Sequence, residues 1–248
     1  MIKLKDILNE VGLNEAFATS KELQEAIKFL STKKRVLLLT TSNRFDIPDE
    51  EKDIPKSTLL AEVIKKALND KPVLLDVSKM KIYHCEGNVS RKQGNSCGVK
   101  DALLKDKEKN PSGYHRCWAS INNSDDELWK ISKELFNSDA VVFFASVRWG
   151  QANAFYQKLI ERLDWIENRH TTLGEESITS SISTGFICIG QNWNGKVVVE
   201  TQKQVHDFFG FQTPKELYWN WQYTTDKNDE SQKSYEQSSE EFKKTFKL

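Results

Sequence analysis

Thr41, Ser42, Asn43 and Arg44 follow directly on an apolar run at residues 35–40, and Ser57 and Thr58 open a stretch whose apolar residues recur at helical spacing. Hydroxyls, a guanidinium and the first N–H groups of a helix together suit a phosphate monoester. The helix end donates hydrogen bonds and carries partial positive charge, and the arginine adds a charge-assisted bond. Two further polar stretches also end apolar runs. Ser146-Val147-Arg148-Trp149-Gly150 follows residues 140–145, and Gly190-Gln191-Asn192-Trp193 closes residues 182–190. Amide side chains there can donate to the carbonyls of a planar ring, and Trp193 can stack on such a ring or cover it. Neither G-x-x-x-x-G-K-[ST] nor G-x-G-x-x-G occurs, so the pattern favours a single phosphate over a triphosphate or a dinucleotide. G-x-S-x-G and H-E-x-x-H are missing too, and no side chain is assigned as catalytic.

The cysteines, Cys85, Cys97, Cys117 and Cys188, are widely spaced. In a chain of 248 residues without a signal-peptide pattern they are expected to be reduced thiols. Cys188 lies in an apolar run and reads as a core residue. The other three, with His84 or His115, leave a zinc site open as the alternative, whereas their spacing is too wide for a compact iron-sulfur cluster. The expectation is no metal. His206 reads as a surface or packing residue within a helix.

The elements that must carry these groups alternate. Residues 1–33 read as a helical extension, with Ser20 as N-cap and Leu23, Ala26, Ile27 and Leu30 on one face. Strands are expected at 35–40, 73–77, 140–145, 182–190 and 217–221, the second of them buried. Between them fall a helix from Ser57-Thr58, a helix with Leu128, Ile131 and Leu135, a helix from Ala152 to Leu163, and a helix ended by Gly210. Continuous apolar strands separated by helices predict an α/β fold: a three-layer sandwich with a five-stranded parallel sheet. Polar residues 78–124 read as one long insertion loop over the ligand face, because structureless connections of that length are usually functional. Residues 34–223 would form the domain, and 224–248 a polar tail, disordered or docked as a helix on a neighbour, with Tyr235, Phe242, Phe246 and Leu248 as its anchors.

The 36 basic and 36 acidic residues leave no net charge to draw the chain to nucleic acid or an anionic membrane. No apolar run reaches the roughly 18 residues of a membrane helix, so a cytoplasmic location is expected.

Residues 139–165 resemble the middle of the flavodoxin-like, NAD(P)H-dependent FMN reductase and quinone oxidoreductase family. Its pattern there is a strand, Thr/Ser-Pro-Val-Tyr-Trp/Tyr-Gly-Ser, and a helix with Lys-x-x-x-Asp-Arg. Val147, Trp149, Gly150 and Arg162 match; Glu161 replaces Asp, Ser146 Pro, Arg148 Tyr and Gln157 Lys. The family's Gly-Ser-Pro-Arg and Ser/Asn-x-Thr are matched through Ser42, Arg44, Ser57, Thr58 and Leu59, with Thr41 for Gly and an acidic insertion at residues 45–56. Residues 81–88 resemble the family's cysteine segment, but Asn88 takes the second cysteine position, and Asp125-Asp126 follows Cys117 as the family's Asp-Asp does.

The resemblance implies FMN as cofactor, with its phosphate at Ser42, Arg44, Ser57, Thr58 and Leu59 and its ring on Ser146, Val147, Arg148, Trp149, Gly150, Gly190, Gln191, Asn192 and Trp193. It implies NAD(P)H as cosubstrate and a quinone, flavin or other aromatic molecule as acceptor. A small-molecule acceptor is the expected partner, with a homodimer or homotetramer left open. The alternative is a non-enzymatic flavodoxin-like electron carrier or flavin-binding regulatory module.

Overall fold

A computed structural model of the protein describes residues 20–44, 54–90, 92, 94–190, 193–224, 229 and 231–248. Its centre is a sheet of five parallel strands: β1 (Val36–Thr40), β2 (Val73–Asp76), β3 (Ala140–Arg148), β4 (Ser183–Gly190) and β5 (Tyr218–Gln222), in spatial order 2-1-3-4-5. A two-residue strand, Gln151–Ala152, pairs antiparallel with the end of β3 and makes a sixth.

Both faces of the central strands are apolar because successive side chains alternate between two cores. Leu37, Leu39, Val141, Phe143, Ala145, Phe186 and Cys188 face one side, packed by helices α3 (Leu128–Leu135), α4 (Ala154–Thr171) and α5 (Gly195–Phe208). Val36, Leu38, Ala140, Val142, Phe144, Ile187 and Ile189 face the other, packed by α1 (Lys21–Leu30), α2 (Lys56–Ala67) and α6 (Gln232–Phe246). Full burial of each such side chain contributes about 1.5–3 kcal/mol. The central strands and the helices that cover them are therefore specified largely by apolar patterning.

Two expectations change and two open alternatives are resolved. The second strand is an edge strand, not a buried one: Val73 is exposed and the remaining residues are only partly covered. The central strand runs on to Arg148, three residues past its apolar run, because Val147 and Arg148 gain antiparallel partners in Ala152 and Gln151. The polar tail supplies α6, whose Ser238, Phe242 and Phe246 are buried against the sheet. His206 takes the packing alternative: it is fully buried, bonded through Nε2 to the Tyr156 hydroxyl at 3.1 Å and through Nδ1 to that of Tyr218 at 2.8 Å.

Residues 78–124 have more structure than a loop. They contain a small hairpin, Val89–Ser90 with Gly94–Asn95, and a short helix, Trp118–Asn122. They run along α4, held by a buried ion pair. Arg162 of α4 donates from both terminal nitrogens to Asp126, each at 2.9 Å, and also to the Tyr83 carbonyl and the Ser120 hydroxyl. Both charged side chains are fully buried. Burial alone would raise the Asp126 carboxyl, but the guanidinium outweighs it and holds the group below its ordinary value. Ser120 donates to Asp126, so His115 presents an Nε2 proton to Ser120 and accepts at Nδ1 from Ser132. Arg162 and Asp126 are thus two family-matched residues that meet as one structural pair. Burial, and after it the Asp164 carboxylate, push the Cys97 thiol of this region well above its ordinary value.

Two consequences are measurable. Replacing Arg162 with Met leaves Asp126 buried without its cation, at an expected cost of about 3–5 kcal/mol in denaturant unfolding; a loss below about 1 kcal/mol would contradict the pairing. Burial lowers His115 to about 4 and His206 to about 3, from 6.5 in each case. The unfolded chain therefore takes up protons that the folded one refuses once the pH drops below about 6.5, and stability falls as the pH is lowered from there towards about 4. Denaturant midpoints that stay flat across that window would count against neutral buried histidines.

Candidate functional site

The carboxyl end of the sheet gathers most of the polar residues that the sequence singles out. In order 2-1-3-4-5 the chain leaves β1 and β3 in opposite directions, and this switch point opens a crevice between their ends. Thr41 is fixed there: its backbone N–H and its hydroxyl both donate to the Phe144 carbonyl at 3.0 Å, and Asn153 donates to its oxygen. The chain then turns outward through Ser42, Asn43 and Arg44.

Helix α2 faces these residues with its N-terminus. It opens at Lys56, one residue before the expected Ser57-Thr58, and its N-cap is Pro55, which offers no side-chain cap. The first N–H groups of the helix have no partner within it. Ser57 is not an N-cap; it is buried in the first turn and donates its hydroxyl to Ser42 at 2.7 Å. Lys56 is also buried, at 9 % exposure. Its ammonium lies 3.3 Å from the Tyr235 hydroxyl and over the rings of Tyr223 and Tyr235, and no carboxylate among the described residues pairs with it. Arg44 donates to the same Tyr235 hydroxyl at 3.1 Å.

These groups line a cleft of about 230 Å³. Ser42, Asn43, Arg44, Pro55, Lys56 and Ser57 form its first wall. Ser146, Val147 and Arg148 from β3 and Ile189 and Gly190 from β4 form the second, and Tyr223 and Tyr235 close it. The Ser146 hydroxyl is buried without a hydrogen-bond partner among the described residues. A buried cation and orphaned hydroxyls are costly unless an anion or an acceptor completes them. The residues present fit a tetrahedral anion against a planar body, as a flavin mononucleotide would need.

The sequence-derived residues do not all reach this cleft. Thr58 lines a neighbouring cleft of about 400 Å³ with Glu62, Asp76 and Phe155, and its hydroxyl is also buried without a partner. Leu59 lines neither. Trp149 and Gly150 form the two-residue turn between Arg148 and Gln151, both with positive φ, and Trp149 is 93 % exposed. Trp193 packs over Gly150, where a Cβ would come within 2.6 Å of its ring, and Asn194 donates to the Gly150 carbonyl. Gln191 and Asn192 lie outside the described residues.

Sequence reasoning missed Lys56, Tyr223 and Tyr235. One signal was available for Lys56, because a cation in the first turn of a helix opposes the helix dipole and is out of place unless an anion binds there.

No protein-family model matches the chain, and no curated protein matches it. Solved structures do. RosB with bound 8-demethyl-8-formylriboflavin-5'-phosphate is similar over 86 % of this chain and 76 % of its own, at 11 % identity and a TM-score of 0.50. The chain has the flavodoxin-like fold. An azoreductase from Bacillus anthracis aligns at 15 % identity over 86 % and 97 % of the two chains with a TM-score of 0.47. An NAD(P)H:quinone oxidoreductase from Methanothermobacter marburgensis aligns at 10 % identity over 86 % and 94 %, with a TM-score of 0.40. In the flavodoxin-like fold the crevice beside β1 and β3 is where a ligand enters, and here it holds Arg44, Lys56 and the two tyrosines.

The hairpin tip gives a direct test of stored strain. A bulky side chain in the left-handed region is unfavourable, whereas asparagine tolerates it in this type of turn. Trp149→Asn is therefore expected to raise stability by about 1 kcal/mol, read from the denaturant midpoint. A destabilised variant would show that the exposed indole is held by contacts that outweigh the strain.

Proposed function

We propose that the protein is an FMN-dependent oxidoreductase that takes hydride from NADH or NADPH and delivers electrons to a quinone, a flavin or another aromatic acceptor. The observation that carries this reading is the cleft at the switch point, where Arg44 and the buried Lys56 meet Ser42 and Ser57 at the first turn of α2. One phosphate satisfies that arrangement, and the absence of a glycine-rich loop disfavours two or three. RosB, which shares the fold, binds a flavin with a single phosphate.

In this reading Arg44, Lys56, Ser42 and Ser57 hold the phosphate. Val147, Arg148 and Gly190 border the ring, and the Ser146 hydroxyl, unpaired among the described residues, supplies it with a donor. When bound, the flavin supplies the centre that accepts the nicotinamide hydride and passes two electrons onward. The chain's own part is to bind, orient and shield. Arg148 lines both this cleft and a shallow one with His84 and Lys158, so it offers positive charge where a nicotinamide cosubstrate would bring its phosphates.

Protein loaded with FMN is expected to oxidise NADH or NADPH in the presence of a small quinone, with the parallel double-reciprocal lines of a ping-pong enzyme. Tight FMN binding without turnover on either nucleotide would favour an electron carrier or regulatory module instead. Arg44→Ala should weaken FMN binding by about 1.5–3 kcal/mol, the worth of a hydrogen bond to a charged group, and Thr58→Ala by less because Thr58 faces the neighbouring cleft. Unchanged FMN affinity in Arg44→Ala would remove the phosphate assignment.

A further inference from the structure

The last helix brings a phenol into the anion site. Helix α6 is anchored by Phe242 and Phe246, both buried on the sheet, and by Ser238, which donates to the Tyr223 carbonyl at 2.7 Å. Tyr235 lies on that same face at helical spacing, so the anchors fix where its ring goes. The ring stacks on Tyr223, with centroids 5.4 Å apart and planes 18° from parallel. Its oxygen is placed between two cations, Arg44 at 3.1 Å and Lys56 at 3.3 Å. Arg44, Lys56 and Tyr235 come from three separate parts of the chain, and all line the one cleft.

The balance of charge there is unusual. Lys56 stands in the first turn of a helix, where the dipole repels it, and is buried with no carboxylate among the described residues beside it. The Tyr235 oxygen accepts from both cations, but its own proton has no acceptor among the described residues. Burial would raise this phenol, yet Arg44 and Lys56 outweigh it and hold the group below its ordinary value. The Tyr235 oxygen thus stands where two cations converge, with its own proton unpaired among the described residues.

We propose that Tyr235 is a ligand of a phosphate monoester dianion, donating its hydroxyl proton to a phosphate oxygen that Arg44 and Lys56 also hold. The proposal deepens the functional reading above, since the phosphate is that of the proposed cofactor. Because the phenol rides on α6, binding the phosphate and docking the C-terminal helix reinforce each other through one free energy. The cleft is accordingly specific for a phosphorylated ligand over its dephosphorylated form.

Tyr235→Phe keeps the ring, its stacking on Tyr223 and its face beneath Lys56, and removes only the hydroxyl. Binding of FMN, riboflavin and inorganic phosphate to the full-length protein and to this variant is the test, with thermal melting to verify folding. Expected are an FMN affinity about tenfold weaker in the variant, weaker inorganic phosphate binding, and an unchanged riboflavin affinity. Phosphate or FMN should also slow amide exchange in residues 231–246 of the unmodified protein. Equal or tighter FMN and phosphate binding by Tyr235→Phe would overturn the proposal and make the phenol a competitor of the phosphate. If inorganic phosphate binds in a Tyr235-dependent way while neither flavin binds, the flavin reading fails and the ligand role stands. If FMN binds equally to both proteins, the flavin reading stands and the ligand role fails. No binding of phosphate or FMN overturns both.

Discussion

The double burial of β3 is the constraint on which the rest of the structure depends. This strand pairs in parallel with β1 over five residues and with β4 over seven, and its side chains alternate between two cores packed by three helices each. A slip of one residue would exchange Phe143 with Phe144 and turn each core inside out, so the register is strongly fixed. That register decides where Ser146, Val147 and Arg148 emerge, and it sets them beside Gly190 and opposite Ser42 across a crevice. The site is positioned by packing some distance below it.

Within the crevice the local rules are broken in a consistent direction. Lys56 opposes a helix dipole and is buried without an acid among the described residues, and the Ser146 hydroxyl is buried without a partner among them. Trp149 stands in a left-handed turn that favours asparagine or glycine. None of these stabilises the chain by itself, and each would be removed by a substitution that improves local energetics. Such departures concentrate where a protein binds something. The buried pair of Arg162 and Asp126 is different, because each charge in it meets its opposite, and it ties residues 78–124 to α4.

Much of this was legible in the sequence. Unbroken apolar runs revealed β1, β3 and β4, and helical spacing revealed α2, α3 and α4, because buried α/β elements carry strong periodic signals. The ends of those runs also placed Ser42, Arg44, Ser57, Ser146, Val147, Arg148 and Gly190 near one edge of the sheet. What stayed hidden has physical reasons. Helix α6 buries only Ser238, Phe242 and Phe246, too few apolar residues to separate a docked helix from a polar tail. With the docked helix only one of two alternatives, Tyr235 reads as an anchor of the tail and not as part of the cleft. Val147 and Arg148 join β3 only through a two-residue partner strand, a tertiary feature without a pattern of its own. His206 is buried because Tyr156 and Tyr218 from distant segments satisfy both of its nitrogens, and no local spacing records that.

The central claim is that the crevice beside β1 and β3 binds a flavin through its single phosphate. Titrating flavin-free protein with FMN and, separately, with riboflavin tests this most directly, because the two ligands differ only in the group that Arg44 and Lys56 are said to hold. The account predicts saturable binding of one FMN per chain, with riboflavin weaker by about tenfold or more. Equal affinity for the two ligands, or no binding of FMN, would contradict it.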